Sequence, residues 1–432
     1  MSAWQWLLAL YTLAGFVETA FYGQIFAFTP LYLPHLGVAQ RDVAAWTGWI
    51  ATISSGFGIL FLPLWGALAD RYARKPVIIR SFLAEMLAAS LMAVAPGLGI
   101  FVFGRSITSL SLGNSGLMMT TLTERTPRER VGLAFSIMNG APAVGLLAGP
   151  VLGGYIVDHY GFPSMMLVNA SLLALVVLSL TFGYQDEFHG KTDEPVLRMA
   201  AGSVRVIWGT LRLRTLFPAL FLLFAGRSLA SSYVPLAITA IYHGSTPGTA
   251  VGLVSAAGGL AALLLAPIFG ALADRYGHWR VLMAGAVAQV FLWPLPGLTR
   301  ALGWFILAWA LLSGVASGVQ AISFSVLSAA APRRVRARVM SFAYLPQVAG
   351  GTIGPALGAL VSQQSVFAVF PAAAAVAALG VGALKIAGRY QGEECGAQSD
   401  AERGPEAEAE PAAQGRGPAA GAMDAGALDK ER

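Results

Sequence analysis

Four ionisable side chains stand inside otherwise apolar stretches of this chain: Glu18, Glu85, Arg105 and Arg227. A charge in such surroundings is costly unless it is paired or reaches water, which makes each a functional candidate. The carboxyls can take up and release a proton; the guanidinium groups stay charged and can hold a carboxylate. Glu18 and Arg227 each fall near the middle of their stretch. A pair between them would break when a proton neutralises Glu18, and that is a route to coupling protons to movement. A permanent structural ion pair is the alternative. Glu85 is expected to make a bond between helices, and Arg105 to hold Glu18 or Glu85 in its ionised form. No Gly-Lys-Ser/Thr phosphate loop, Ser/His/Asp set or metal spacing accompanies them, so neither an enzyme nor a cofactor is expected. The single cysteine, Cys395, permits no disulfide within the chain.

The elements that position these groups must be membrane helices. Of the 432 residues, 56% are hydrophobic and 12% charged, where soluble domains carry about a quarter charged. Runs such as 165–182 and 368–384 hold no charge and are long enough to cross a bilayer. Inside a bilayer every backbone polar group must be satisfied within its own span, so the class is all-α. Twelve spans are read at 5–33, 45–69, 76–95, 98–120, 131–157, 163–184, 214–242, 249–273, 280–297, 302–328, 339–362 and 366–387. Basic residues crowd the loops after even-numbered spans, whereas the other side holds Arg41 and Arg300. That asymmetry places both termini in the cytoplasm and explains the net charge of +6 without nucleic acid. The first span is too long for a removable signal peptide. Trp46, Trp49, Trp304 and Trp309 near span ends are expected as interfacial anchors.

The spans fall into two copies of one unit. Gly66-Ala67-Leu68-Ala69-Asp70-Arg71-Tyr72 returns as Gly270-Ala271-Leu272-Ala273-Asp274-Arg275-Tyr276, about half the chain later. Gly145, Gly149, Pro150 and Gly153 return as Gly350, Gly354, Pro355 and Gly358. Six spans per copy give both copies the same orientation, as parallel repeats. The resulting organisation is a six-helix bundle over 1–184, a cytoplasmic linker over 185–213, a second bundle over 214–388 and a disordered tail over 389–432. The Arg-rich part of the linker is expected to lie along the membrane surface.

Two such halves, each with Gly-x-Leu-x-Asp-Arg-Tyr after its second helix, resemble the major facilitator superfamily. The first copy, through Arg74 and Lys75, departs from that family's signature at Ala73; the second has His278 and Trp279 where basic residues are usual. The fifth span, with Gly145, Gly149, Pro150, Gly153 and Gly154, is similar to the family's antiporter signature, except for Ser136 at an earlier glycine position. Pro30-Leu31-Tyr32-Leu33-Pro34 resembles the twelve-helix drug:proton antiporter branch, which also has an arginine at the Arg105 position; Thr108 and Ser109 replace its usual Gln and Gly.

Asp70 and Asp274 can accept bonds from helix N-termini of the opposite half, near 336–341 and 131–136, and so form a latch with Gly66, Arg71, Arg74, Gly270 and Arg275. A topogenic turn with solvated charges is the plainer reading. The glycine ladder permits a close helix crossing, and Pro150 a bend. The resemblance puts the first and seventh helices around a central cavity. Candidates to line it are Tyr11, Tyr22, Gln24, Asn114, Asn139, Tyr233, Gln320, Tyr344 and Gln347; each is equally suited to hold helices together. The expected function is secondary transport by alternating access, with proton-coupled export of a small amphipathic compound. Uptake of a nutrient with protons is the runner-up, and a non-transporting membrane sensor or scaffold the alternative from another class. The expected partners are substrate, protons and the bilayer. A monomer in the inner (plasma) membrane of a bacterium is expected.

Overall fold

The computed structural model describes residues 2–71, 74–111, 114–183, 211–330 and 343–402, with side chains except at 3, 60–71, 211–212 and 390–402. These residues form α-helices and short 3-10 turns, with no strand among them. The helices are α1 (Ala3–Tyr32), α2 (Val43–Arg71), α3 (Arg74–Ala93), α4 (Leu98–Ile107), α5 (Asn114–Arg125), α6 (Val131–Gly183) and α7 (Leu211–Ser231). They continue with α8 (Val234–Ile241), α9 (Pro247–Tyr276), α10 (His278–Leu292), α11 (Pro294–Leu298), α12 (Leu302–Ala330), α13 (Leu345–Val361) and α14 (Val369–Glu402). Seven of the helical segments are long and apolar enough to cross a membrane by length and composition. Large apolar side chains such as Phe103, Leu152, Phe182, Leu264, Leu307 and Leu379 are exposed along the outside. Water would penalise that surface, and lipid does not.

Several expected spans are interrupted, each at residues with a physical reason to break a helix. The fourth divides into α4, a 3-10 turn over Thr108–Ser111, and α5. There the Thr108 and Ser111 hydroxyls donate to the carbonyls of Arg105 and Thr108, competing with the helical ladder. Pro235 divides α7 from α8, and Pro294 divides α10 from α11, because proline brings no N–H to the ladder. The fifth and sixth spans run together as α6, broken at Gly161, whose φ of 82° is open to glycine and strained for other residues. At the C-terminal end, α14 runs to Glu402, past the start of the expected disordered tail. Its Ala, Glu and Gln residues are good helix formers. By contacts the chain divides into Met1–Ala387 and Gly388–Arg432. The expected surface helix of the linker lies outside the described residues.

Within each half the same packing recurs. In α1 the residues Leu7, Tyr11, Ala14, Phe21, Ile25 and Phe28 are all at most 1% exposed, a stripe at spacings of four and three broken once by a step of seven between Ala14 and Phe21. Helix α1 packs against α6 and α7 against α13. Lipid offers no hydrophobic reward for helix association, so close approach of small residues must hold these pairs. A Cβ on Gly149 would lie 2.6 Å from the Ala20 Cα, and one on Gly153 2.7 Å from the Gln24 Cγ. In the second half, a Cβ on Gly350 would lie 2.7 Å from the Ala225 nitrogen, and one on Gly354 2.9 Å from the Leu229 nitrogen. The repeated ladder therefore makes the same contact twice. Contacts of α6 with α9 and of α2 with α13 join the two halves.

Candidate transport cavity

Two neighbouring cavities lie between the halves, of about 350 Å3 and about 360 Å3. Phe26, Ser55, Ser228 and Gly351 line both, so they stand side by side. Glu18, Tyr22, Arg105, Asn114 and Gln347 line one; Arg227, Trp293, Trp309 and Pro150 line the other. Glu18 and Arg227 both interrupt buried stripes. Glu18 falls between Ala14 and Phe21, and Arg227 between Leu223 and Ala230. The first helix of each half thus carries its charge on the face it turns inward.

Those charges do not meet. The Asn114 amide donates to Glu18 Oε1 at 2.9 Å, and the Glu18 carboxyl adjoins that of Glu85 on α3. Arg227 donates to Gln320 Oε1, and the Gln320 amide donates to Gln347 at 3.0 Å. The expected Glu18–Arg227 pair is thereby corrected: each side chain is held by neighbours in its own half. Arg105 does not hold either carboxyl. It donates to Thr108 Oγ1 at 2.8 Å and lies over the Phe26 ring, 4.9 Å from its centre. Glu85 is wholly buried, facing Glu18, Tyr22 and Ser111 with neither oxygen in hydrogen-bonding geometry. An unsatisfied buried carboxylate is costly, and two adjacent carboxyls can hold one proton between them. Glu85 thus faces a second carboxyl across the α1–α3 boundary, where a shared proton would join the two helices.

The remaining candidates divide by location. Tyr22 lines the cavity, donating to the Thr108 carbonyl at 2.8 Å and standing 2.6 Å from Ser111 Oγ. Gln24 instead joins helices: its amide donates to the Gly149 carbonyl at 2.9 Å, and it accepts from Asn169 at 2.6 Å. Tyr233 is buried and donates to the Pro355 carbonyl at 3.1 Å. Tyr11 is buried in the first half's core. Asn139 is exposed and donates to Phe135, while Tyr344 is exposed beside Phe324. None of these five lines either cavity. Among the tryptophans, Trp49 and Trp304 are exposed as anchors would be, but Trp309 lines the cavity beside Trp293, with ring centres 6.5 Å apart.

One end of the assembly is closed by a contact that the sequence reading missed. Asp158, near the end of the fifth span, accepts the backbone N–H of Gly248 at 2.8 Å and of Thr249 at 2.7 Å. It also accepts the Thr249 hydroxyl at 2.6 Å. Those N–H groups open α9, where the helix leaves donors unpaired and its dipole favours an anion. Thr52 donates to the Thr352 carbonyl at 2.9 Å and adds a second link between the halves. The signal available in sequence was the helix start Thr246-Pro247-Gly248-Thr249; nothing in it named Asp158 as the acceptor.

At the opposite end Asp274 has a side chain 77% exposed, and its ion partner among the described residues is His278, 3.6 Å away. It does not meet 131–136, the expected latch partner. Arg275 stacks over Tyr276, and a Cβ on Gly270 would meet nothing within 4 Å. The expected first-half latch falls outside the described residues, which include neither the side chains of Asp70 and Arg71 nor the segment 336–341. Arg74 forms an ion pair with Glu124 at 2.7 Å.

The sequence profile described as Major Facilitator Superfamily matches residues 7–246 and 216–411. The chain is 27% identical over 381 residues to the "Multidrug resistance protein MdtG" of Salmonella arizonae, covering 86% of this chain and 93% of that protein. It is 27% identical over 371 residues to the "Multi-drug resistance efflux pump PmrA" of Streptococcus pneumoniae, covering 84% and 90%. Its fold is similar to a POT family transporter solved with 5-aminolevulinic acid, with a TM-score of 0.70, 15% identity, and coverage of 88% and 95%.

Proposed function

The chain belongs to the major facilitator superfamily, and from that premise we propose that it exports a small amphipathic compound in exchange for protons. Membership makes it a multi-pass membrane transport protein and not an enzyme. The printed names of the similar proteins, a multidrug resistance protein and a multi-drug efflux pump, support export of drug-like molecules. The observation that carries the proton reading is the Glu18–Glu85 carboxyl pair, in which Glu18 lines the cavity between the halves and Glu85 is buried behind it. A proton taken up there removes charge from a low-dielectric site, and the substrate and proton can then compete for one conformational cycle.

The two bundles, 1–184 and 214–388, rock about that cavity, and one chain supplies all its walls. Basic residues gather at the Asp274 end, which the positive-inside rule assigns to the cytoplasm together with both termini. The Asp158 end then faces outward, and the arrangement with Asp158 bound and Asp274 exposed is inward-facing. The test is a reconstituted liposome with an acidic lumen, challenged with lipophilic cations, sugars, amino acids and organic acids while internal pH is recorded. Substrate-dependent proton release that Glu18→Gln removes supports antiport. Proton movement in the same direction as a nutrient refutes it in favour of uptake. Removing residues 390–432 should leave transport intact; a protein that works through its tail would fail.

A further inference from the structure

We infer that the second-half cavity is an anion subsite, in which Arg227 receives the carboxylate of an aromatic organic acid. This rests on the transport reading above and names a substrate class for the same cavity. Arg227 is half-buried on the inward stripe of α7 and lines the cavity of about 350 Å3, a size that fits a small ligand. Its guanidinium offers five donors, and the bond it makes among the described residues goes to neutral Gln320. No carboxylate lies within ion-pair distance among those residues. The two acids inside the bundle, Glu18 and Glu85, face each other in the other half.

A guanidinium held in a low-dielectric wall without a counter-charge is expensive, and a ligand that brings a carboxylate removes that cost. The planar fork suits a carboxylate in a bidentate grip, which an ammonium would lack. The neighbouring hydroxyls point to the same chemistry. Ser231, Ser255 and Ser313 line this cavity and make no hydrogen bond among the described residues, so each has a proton to donate. Trp309 closes the apolar side of the same space. One fixed cation, several free hydroxyls and an aromatic wall describe a receptor for an aromatic body with a single acidic group. A lipophilic cation would be repelled by the Arg227 charge on this side.

Binding to the purified full chain in lipid nanodiscs tests this without gradient or turnover. The probes are 2-naphthylacetate, neutral 2-naphthylacetamide and 2-naphthylethylammonium, followed by tryptophan fluorescence. The acid should bind roughly tenfold or more tightly than the amide, the advantage of a charge-assisted pair. Arg227→Gln should abolish that preference while leaving amide binding intact, which also reports that the variant is folded. If Arg227→Gln does not fold, Arg227→Lys decides: it should keep a reduced preference for the acid. Tighter binding of the ammonium, equal binding of acid and amide, or a preference that survives Arg227→Gln would each overturn the subsite. Failure of proton release in liposomes with acid binding preserved would instead sink the antiport reading alone.

Discussion

Asp158 and Thr249 come from opposite halves of the chain and are joined twice through one carboxylate oxygen, which accepts the Thr249 backbone N–H at 2.7 Å and its hydroxyl at 2.6 Å. The other oxygen takes the Gly248 N–H at 2.8 Å. An anion placed on the first unpaired donors of a helix is favoured by both hydrogen bonding and the dipole. The closed end is therefore held by groups that rigid movement of the halves would separate together.

Asp158→Asn should loosen that end. Loss of the charge costs the closed form about 1.4 kcal/mol, or roughly tenfold in population. In a Cys395→Ser background, a cysteine at cavity residue Ser231 should react faster with a maleimide added from the Asp158 side. Unchanged labelling would remove the clamp from consideration.

Glu18→Gln should abolish accumulation driven by a pH gradient and leave substrate counterflow in place, because the carboxyl pair with Glu85 is lost while the cavity keeps its shape. Counterflow and accumulation measured on the same vesicles separate the two. If gradient-driven accumulation persists, the proton is carried elsewhere.

Gly149→Leu should destabilise the first bundle. Its Cβ alone would sit 2.6 Å from the Ala20 Cα, a backbone atom that cannot swing aside. A cost of about 1–3 kcal/mol or more is expected from such overpacking, read as a fall in Tm of the detergent-purified protein. A wild-type Tm would mean that the two helices separate easily, contrary to the ladder.

Asp274→Asn should slow turnover without lowering Tm. The side chain is exposed here, so the folded form loses little, and a latch role would show in the rate alone. Stopped-flow or tracer rates on purified vesicles would show the change, and rates equal to the unaltered protein would reduce Asp274 to a topogenic charge.

The duplicated architecture was readable because membrane helices leave a strong apolar signal and because the two ladders keep the same spacing, Gly145 to Gly153 and Gly350 to Gly358. Partner choice was not. Glu18 and Arg227 sit at similar depths, but which way each turns depends on helix rotation and on neighbours supplied by distant segments, Asn114 for one and Gln320 for the other. Trp309 looked like an anchor at a span end, yet its ring turns into the cavity wall. The break in the fourth span came from hydroxyls that compete with the helix locally, a weak signal inside an apolar run. Asp158 is not legible in the sequence, because an acid at the end of a span resembles any solvated loop charge until the helix it caps is known.

At the closed end, Gly154 lies against Gly248 and Gly252 lies against Pro150, so the two halves touch there through backbone. A Cβ on Gly252 would come 2.5 Å from the Pro150 carbonyl oxygen, and one on Gly248 2.7 Å from Asp158 Oδ1. A single alanine at either position is thus a wedge against this arrangement, and each 1.4 kcal/mol of crowding lowers its population by about tenfold relative to any form in which the seam is open. The seam owes its closeness to what the chain omits: at Gly154, Gly248 and Gly252 a methyl group would run into the opposite half.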